Sequence, residues 1–172
     1  MKISTIVLDP PWQFRGGKAK NHIDKHYETV KHSEIPQLCK DALRGYTIDD
    51  NAHCYLWCLN NHLDVALSLM TDLGFVYKSN IVWHKNQMGI GYYFRGKHEI
   101  CLFGTRGKGS AVRTDRRNIS SCFTADKRKH SQKPEEFYDL VEGRSKGPYL
   151  ELFSRHTRPG WQMWGNEVGK LD

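Results

Sequence analysis

"ISTIVLDPPW", Ile3–Trp12, carries an apolar, β-branched run straight into an acid, two prolines and a tryptophan. Ile3–Leu8 reads as a buried strand, because a short run rich in Ile, Val and Thr that stops at proline fits a covered position in a sheet. Proline cannot donate to a ladder, so Pro10 and Pro11 end the strand. Two readings of that ending stay open at this point. One is a simple strand stop beside a core tryptophan; the other is a rigid stretch of backbone whose acceptors are kept for chemistry.

Further short β-rich runs follow at His53–Leu59, Ser79–His84, Glu99–Phe103, Tyr149–Phe153 and Trp161–Trp164. Helical patterns fall between several of them. Ser33 is the expected N-cap of a helix whose apolar positions Ile35, Leu38, Cys39, Ala42 and Leu43 follow the 3.6-residue period, with Gly45 at its end. Asn61 is the expected cap of a second, with Asp64 in its first turn, a stripe of Leu63, Ala66, Leu67, Met70 and Leu73, and Gly74 as its stop. Pro134 suits the first turn of a third, in which Phe137, Leu140 and Val141 share a face. Strands alternating with helices predict an α/β fold, a mostly parallel sheet with helices on both faces. Trp57, Trp83, Trp161 and Trp164 are then expected in the sheet core. Ligands of such sheets collect at the carboxyl ends of the strands, which is where "DPPW" falls.

The 172 residues are expected to form a single domain, 1–172. Lys and Arg outnumber Asp and Glu by 26 to 19, a formal charge of +7 that favours a polyanionic partner such as nucleic acid. The excess concentrates in two loop-like segments, Gln13–Lys25 and Gly104–Lys133. No run of eighteen apolar residues and no leader pattern is present, so a cytoplasmic protein without a membrane span is expected. The five cysteines are irregularly spaced; Cys54 and Cys58 have no second pair at zinc-ligand spacing, so neither a disulfide framework nor a metal is expected. "GTRGKG" at Gly104–Gly109 lacks the spacing of a P-loop, and "GIGYYF" at Gly89–Phe94 misses the third glycine of a dinucleotide fingerprint. No G-x-S-x-G elbow marks a hydrolase serine. His26, His98, His130 and His156 read as packing or polar scaffold.

If "DPPW" lines a pocket, Asp9 and the Pro10 carbonyl are two acceptors and Trp12 offers a flat face. That set fits the exocyclic amino group of a stacked base. Such an amine is a poor nucleophile because its lone pair is delocalised into the ring. Acceptors that grip its hydrogens favour the nucleophilic form as a bond to an electrophilic carbon develops, which is stabilisation specific to the transition state.

Seven segments in order then carry a resemblance: "DPPW" at Asp9–Trp12, "HYETVKHSEI" at His26–Ile35, "YLWCLNNHLDVALSLMTDLGF" at Tyr55–Phe75, "IVWHKN" at Ile81–Asn86, "GKHEICLFGTRG" at Gly96–Gly107, "HSQKPEEFYDLV" at His130–Val141 and "LELFSRHTRPGWQMWGNE" at Leu150–Glu167. With them the chain resembles the DPPW-motif, MT-A70-like adenine-N6 methyltransferases, the family of the catalytic subunit of the eukaryotic messenger-RNA adenosine methyltransferase. The resemblance implies a Rossmann-like, class I methyltransferase sheet with permuted motif order and S-adenosylmethionine as cofactor. It implies that Asp9, Pro10, Pro11 and Trp12 form the catalytic motif, with Trp12 on or near the base. It assigns cofactor contacts to Asp9, Lys97, Ser131, Lys133, Arg155, Asn166 and Glu167, the last two at the ribose hydroxyls. Tyr27 corresponds to a tyrosine at the substrate mouth, and Lys18, Lys20 and Arg95 join it and Trp12 as expected substrate contacts. Two departures bear on individual contacts. Only eight residues precede Asp9, so the upstream segment that meets the cofactor adenine in longer members is expected to be missing, and "HTRPGW" after Arg155 is short.

A target base must leave its stack to enter such a pocket, so the substrate is single-stranded or flipped. The basic loops Arg15–Lys25 and Arg106–Lys133 are the expected phosphate track. DNA is the first expectation and RNA the alternative, since nothing in the sequence reads a 2′-hydroxyl. A homo- or heterodimer is compatible with the sequence. The rival from another class is a catalytically inactive nucleic-acid-binding subunit, against which the intact Asp9–Trp12 motif speaks.

Overall fold

The computed structural model describes residues 1–12, 30, 31, 33–89, 91, 93–128, 132–165, 168 and 169. Within them β1 (Lys2–Leu8) pairs in parallel with β2 (Thr47–Cys58) on one side and β6 (Tyr149–Leu152) on the other. It is covered on both faces, which is why its sequence is a continuous apolar run rather than an alternating one. Adding β3 (Val76–Lys85), β4 (His98–Arg106), β5 (Cys122–Ala125) and β7 (Trp161–Trp164) gives a seven-stranded sheet of order β5-β3-β4-β2-β1-β6-β7. The expected mostly parallel sheet is present, with one strand reversed: β4 runs antiparallel to both β2 and β3. Its first residues, His98 and Glu99, therefore sit at the edge where the parallel strands end.

The two-residue period of the strands sorts the core into two layers. Cys54, Leu56 and Cys58 of β2 pack with Ile6, Leu8 and Leu102 against α1 (Ile35–Leu43) and α2 (Leu63–Asp72). Tyr55 and Trp57 of the same strand point the other way, with Val7 and Cys101, onto Phe137, Tyr138 and Val141 of α3 (Glu135–Arg144). Helices thus cover both faces. Trp57, Trp83 and Trp161 are buried and Trp164 is partly so. Cys54 and Cys58 are buried members of the first layer, four positions apart along a strand and so roughly 13 Å from each other. Among the described residues no group of three or more His, Cys, Asp or Glu side chains is gathered as a metal site requires. Nor is any helix of the described residues long and apolar enough to cross a membrane.

Element ends differ from the sequence expectation in ways that have local causes. The N-cap of α1 is Glu34, without a side-chain cap bond, in place of Ser33; a proline in the first turn supplies the fixed φ and removes one orphan N–H. A 3-10 turn, Asn60–His62, precedes α2, so Asn61 lies within that turn and His62 takes the cap position. The buried stripe of α2 is consequently Ala66, Leu69, Met70 and Leu73, and Leu63 is exposed. Gly74, with φ +81°, ends it as expected. Pro134 is the N-cap of α3 rather than part of its first turn. The segment Gly104–Lys133 holds a 3-10 turn, Gly109–Ala111, and the short edge strand β5, which pairs with Val82–Lys85.

The connection from β6 to β7 has no helix. It is fastened to α3 instead: Arg158 pairs with Glu135 and Glu142 and lies over the Tyr138 ring, and Trp161 Nε1–H donates to Glu142 Oε1 at 2.8 Å.

Candidate active site

The chain leaves β1 through the motif, and the strand-stop reading holds for its tryptophan. The Trp12 N–H donates to the Pro10 carbonyl at 2.7 Å and the Val30 N–H to the Pro11 carbonyl at 3.1 Å, so the two prolines are fixed in a tight turn. The Pro10 oxygen already accepts one bond and keeps one lone pair. Trp12 is the core tryptophan of the bland reading: 4% exposed, its Nε1–H donating to Trp57 O at 2.8 Å and its ring edge-on to His62. Its face is packed into the first core layer, so the expected stacking of Trp12 on a base gives way to a structural role. Burying the indole satisfies its N–H and anchors the turn that carries Asp9.

Asp9 lines a cleft at the carboxyl edge of the sheet. Gln132 and Lys133 border it from the approach to α3, Tyr138 from α3 itself, and Glu151, Phe153, Ser154, Arg155 and His156 from the end of β6. Phe153 holds φ +66°, a left-handed conformation costing a bulky residue about 1–2 kcal/mol, and this turns the chain so that the residues after it face the cleft.

Lys133 is the hub of the charges. Its Nζ lies 2.7 Å from Asp9 Oδ2, 3.5 Å from Glu99 Oε2 and 4.8 Å above the Trp57 ring, with the side chain only 8% exposed. Lys85, from the end of β3, also pairs with Glu99. A row Lys85–Glu99–Lys133–Asp9 of alternating sign results, and it exists because reversed β4 brings Glu99 to this edge. Burial raises the Asp9 pKa above the usual carboxylate range, more than Lys133 lowers it. For Glu99 burial also pushes upward, but Lys133 and Lys85 together outweigh it and hold the group low.

A second acid stands on the other side of the cleft. Glu151 is 3% exposed; Tyr138 Oη–H donates to its Oε1 at 3.1 Å, with Oε2 at 3.3 Å, and His156 Nε2 is 4.0 Å from Oε2. Burial moves its pKa up to about 8, with the Asp9 charge adding to the rise, so the carboxyl is protonated at neutral pH.

Of the residues singled out from the sequence, Asp9, Lys133 and Arg155 meet at this cleft. Lys97 does not: its side chain is exposed at the start of the β4 approach, and only its backbone carbonyl is engaged, by the Lys85 N–H at 2.9 Å. Arg95 is exposed in the same loop, its Nε–H donating to Gly89 O at 2.9 Å. Lys18, Lys20, Tyr27, Ser131, Asn166 and Glu167 lie outside the described residues, as do Arg15–Lys25 of the expected phosphate track. Glu99, Lys85, Glu151 and Tyr138 were not anticipated. A lone acid inside the buried strand "YLEL" is the one signal that pointed to Glu151.

An α/β sheet whose first strand delivers an acid and two prolines to a charged cleft at its carboxyl edge is the frame of a methyltransferase, and this chain belongs to the MT-A70 family, whose pattern matches residues 3–167. It is similar to the Type II methyltransferase M.MunI of Mycoplasma sp, 27% identical with 97% of this chain and 78% of that protein covered. It is also similar to a protein described as a putative N(6)-adenosine-methyltransferase MT-A70-like of Medicago truncatula, 26% identical over 97% of this chain and 26% of that one. The human N(6)-adenosine-methyltransferase catalytic subunit METTL3 is 25% identical, again over 97% of this chain but 28% of its own length. The chain therefore spans about a quarter of these plant and animal relatives.

Proposed function

We propose that this protein transfers a methyl group from S-adenosylmethionine to the N6 amine of adenine in nucleic acid, DNA in the first instance. The observation that carries the reading is Asp9: it stands at the end of the central strand, opens into the cleft, and is held beside the Lys133 ammonium at 2.7 Å. The cleft suits the charges of the methyl donor. Lys133 and Arg155, which border it, match the carboxylate of that donor. When bound, the cofactor supplies an electrophilic methyl group.

The residues of this chain do the rest. Asp9 accepts a hydrogen bond from the exocyclic amine, aided by the remaining lone pair of the Pro10 carbonyl, and takes up the proton that the amine sheds as its new N–C bond forms. A pKa raised by burial makes Asp9 a better acceptor of that proton than a surface aspartate. Lys133, 2.7 Å away, orients it beforehand. The fixed proline turn prevents the acceptors from relaxing toward the planar ground state of the amine. The reading carries a cytoplasmic setting with it.

DNA is placed first on the likeness to the Type II methyltransferase M.MunI, 27% identical. The word adenosine in the names of those relatives favours RNA as the second reading. Incubation with labelled S-adenosylmethionine and matched DNA and RNA oligonucleotides decides between them; label in neither polymer, with cofactor bound, would mean an inactive binding subunit. Asp9→Ala is expected to lower transfer by a factor on the order of 10²–10⁴ while cofactor affinity stays within a few fold. Wild-type turnover by that variant would refute the role of Asp9.

A further inference from the structure

β3 and β4 are joined by residues 86–97, a segment with no acidic side chain and two cations, Arg95 and Lys97. Its stem continues the hairpin: the Lys85 N–H donates to Lys97 O at 2.9 Å and the Gly89 N–H to Gly96 O at 2.7 Å. Arg95 ties the loop across itself through Gly89 O. Gly91 passes so close beneath the tip that a Cβ there would stand 1.8 Å from the Phe94 carbonyl oxygen, so only glycine fits. Tyr93 holds φ +63°, a conformation that a bulky side chain adopts only when its surroundings impose it. This shaped loop turns two rings outward: Tyr93 is 90% exposed and Phe94 85%, more than any other large apolar side chain described.

The loop rises from the carboxyl edge of the sheet, two residues before Glu99, which Lys133 links to Asp9. Exposed rings bordered by cations, on a hairpin that leaves the same edge of the sheet as the cleft, match a nucleic-acid strand better than a protein surface. Every base presents a π-face and every phosphate a negative charge, whereas a protein partner needs a broader apolar patch than Tyr93, Phe94 and the exposed Met88 offer among the described residues of the loop. A target adenine drawn into the cleft also leaves its neighbours without their stacking partner.

We propose that Tyr93 and Phe94 form a stacking platform for the nucleotides that flank the target adenine, with Arg95 and Lys97 meeting the adjacent phosphates. The inference rests on the nucleic-acid reading above. Such a platform holds the strand without reading its sequence, because stacking tolerates any base.

Fluorescence anisotropy with labelled single-stranded DNA and RNA oligonucleotides containing one adenine tests it, with S-adenosylhomocysteine present throughout. The doubly substituted variant Tyr93→Ala, Phe94→Ala is expected to bind about tenfold or more weakly, with unchanged affinity for S-adenosylhomocysteine. An oligonucleotide with abasic residues on both sides of the adenine should lose a similar factor against the wild type and nothing further against the variant. Gly91→Ala, which keeps both rings but opens the turn, should also weaken binding. If the wild type binds and methylates a polymer with an affinity that the two rings do not influence, this inference fails and the function stands. Full additivity of the ring and abasic losses overturns it as well. A variant that changes oligomeric state by light scattering but not oligonucleotide affinity makes the loop a protein contact and overturns it. A wild type that binds neither polymer removes both this inference and the function it rests on.

Discussion

Asp9 and Glu151 face the same cleft with different neighbours. Asp9 has a lysine at 2.7 Å, whereas Glu151 has a tyrosine hydroxyl and an apolar strand, so one is paired and the other keeps its proton. The consequence for stability has a definite sign. The folded pKa of Glu151, about 8, lies above the unfolded value near 4.5, so its contribution is complete below 4.5 and is lost as pH rises toward 8. Glu151→Gln, which preserves the bond from Tyr138, should therefore match the wild type in acid and exceed it at pH 8.5 by an amount on the order of a few kcal/mol, read from urea denaturation of the ligand-free protein. Equal stability of the two proteins at both pH values would show that Glu151 is ionised in the fold. His53 acts in the other direction. Buried with Nε2–H donating to Gly109 O at 2.9 Å and Nδ1 2.7 Å from Ser145 Oγ, it has a lowered pKa, so both proteins should lose stability as pH falls through 6.5. At this scale the sequence exposed Asp9, Lys133 and Arg155 because motifs fix them, and it hid Glu99 because an acid at the start of a strand looks like any solvated charge.

Strands are where sequence and structure agree best, and β4 shows the limit of that agreement. Its apolar residues mark it as a strand, but direction leaves no trace in a period of two; only the pairing with β2 and β3 reveals that it runs backward and carries Glu99 to the cleft. β5 went unread for a different reason: its four residues form an edge strand inside a basic segment, with too few apolar positions to set up an alternation. Trp12 was legible as a residue with two roles open, since an aromatic after two prolines fits a core anchor as well as a pocket wall, and its burial fits the first. The reversal of β4 also has a tight exit. Gly107 follows it with φ +56°, and a Cβ there would meet the Asp50 carbonyl oxygen at 2.2 Å, a backbone atom that cannot step aside without moving β2. Gly107→Ala should lower stability by at least about 2 kcal/mol, the cost of the left-handed conformation plus the displaced strand. Thermal melts in which this variant unfolds within a degree of the wild type would mean that β4 leaves β2 with more room than the packing indicates.

Across the whole molecule, apolar layers on both faces fix the sheet, and much of the chemistry is concentrated along one of its edges. The net charge of +7 is distributed so that Arg95, Lys97 and Lys127 are exposed at that edge while Lys133 is buried behind them in ion pairs. Exposed and buried cations do different work. A buried lysine orients one partner; exposed ones release counterions from a polyanion, which makes binding depend on salt. Lys97 is the residue for which the two kinds of work can be told apart, because the family resemblance assigns it to the cofactor carboxylate whereas its exposure on the approach to β4 suits a phosphate. If it serves a phosphate, Lys97→Gln should weaken oligonucleotide binding to a similar extent for every sequence and make the slope of log affinity against log salt shallower by about 0.7–0.9, one phosphate contact, with S-adenosylhomocysteine affinity unchanged. If instead the slope stays as it was and S-adenosylhomocysteine binding falls tenfold, the side chain must swing from the rim to the cleft when the cofactor arrives, and the charge that holds the cofactor would come from Lys97 rather than from Lys133 and Arg155. Titrations of the variant at three salt concentrations, with oligonucleotide and with S-adenosylhomocysteine, separate these outcomes.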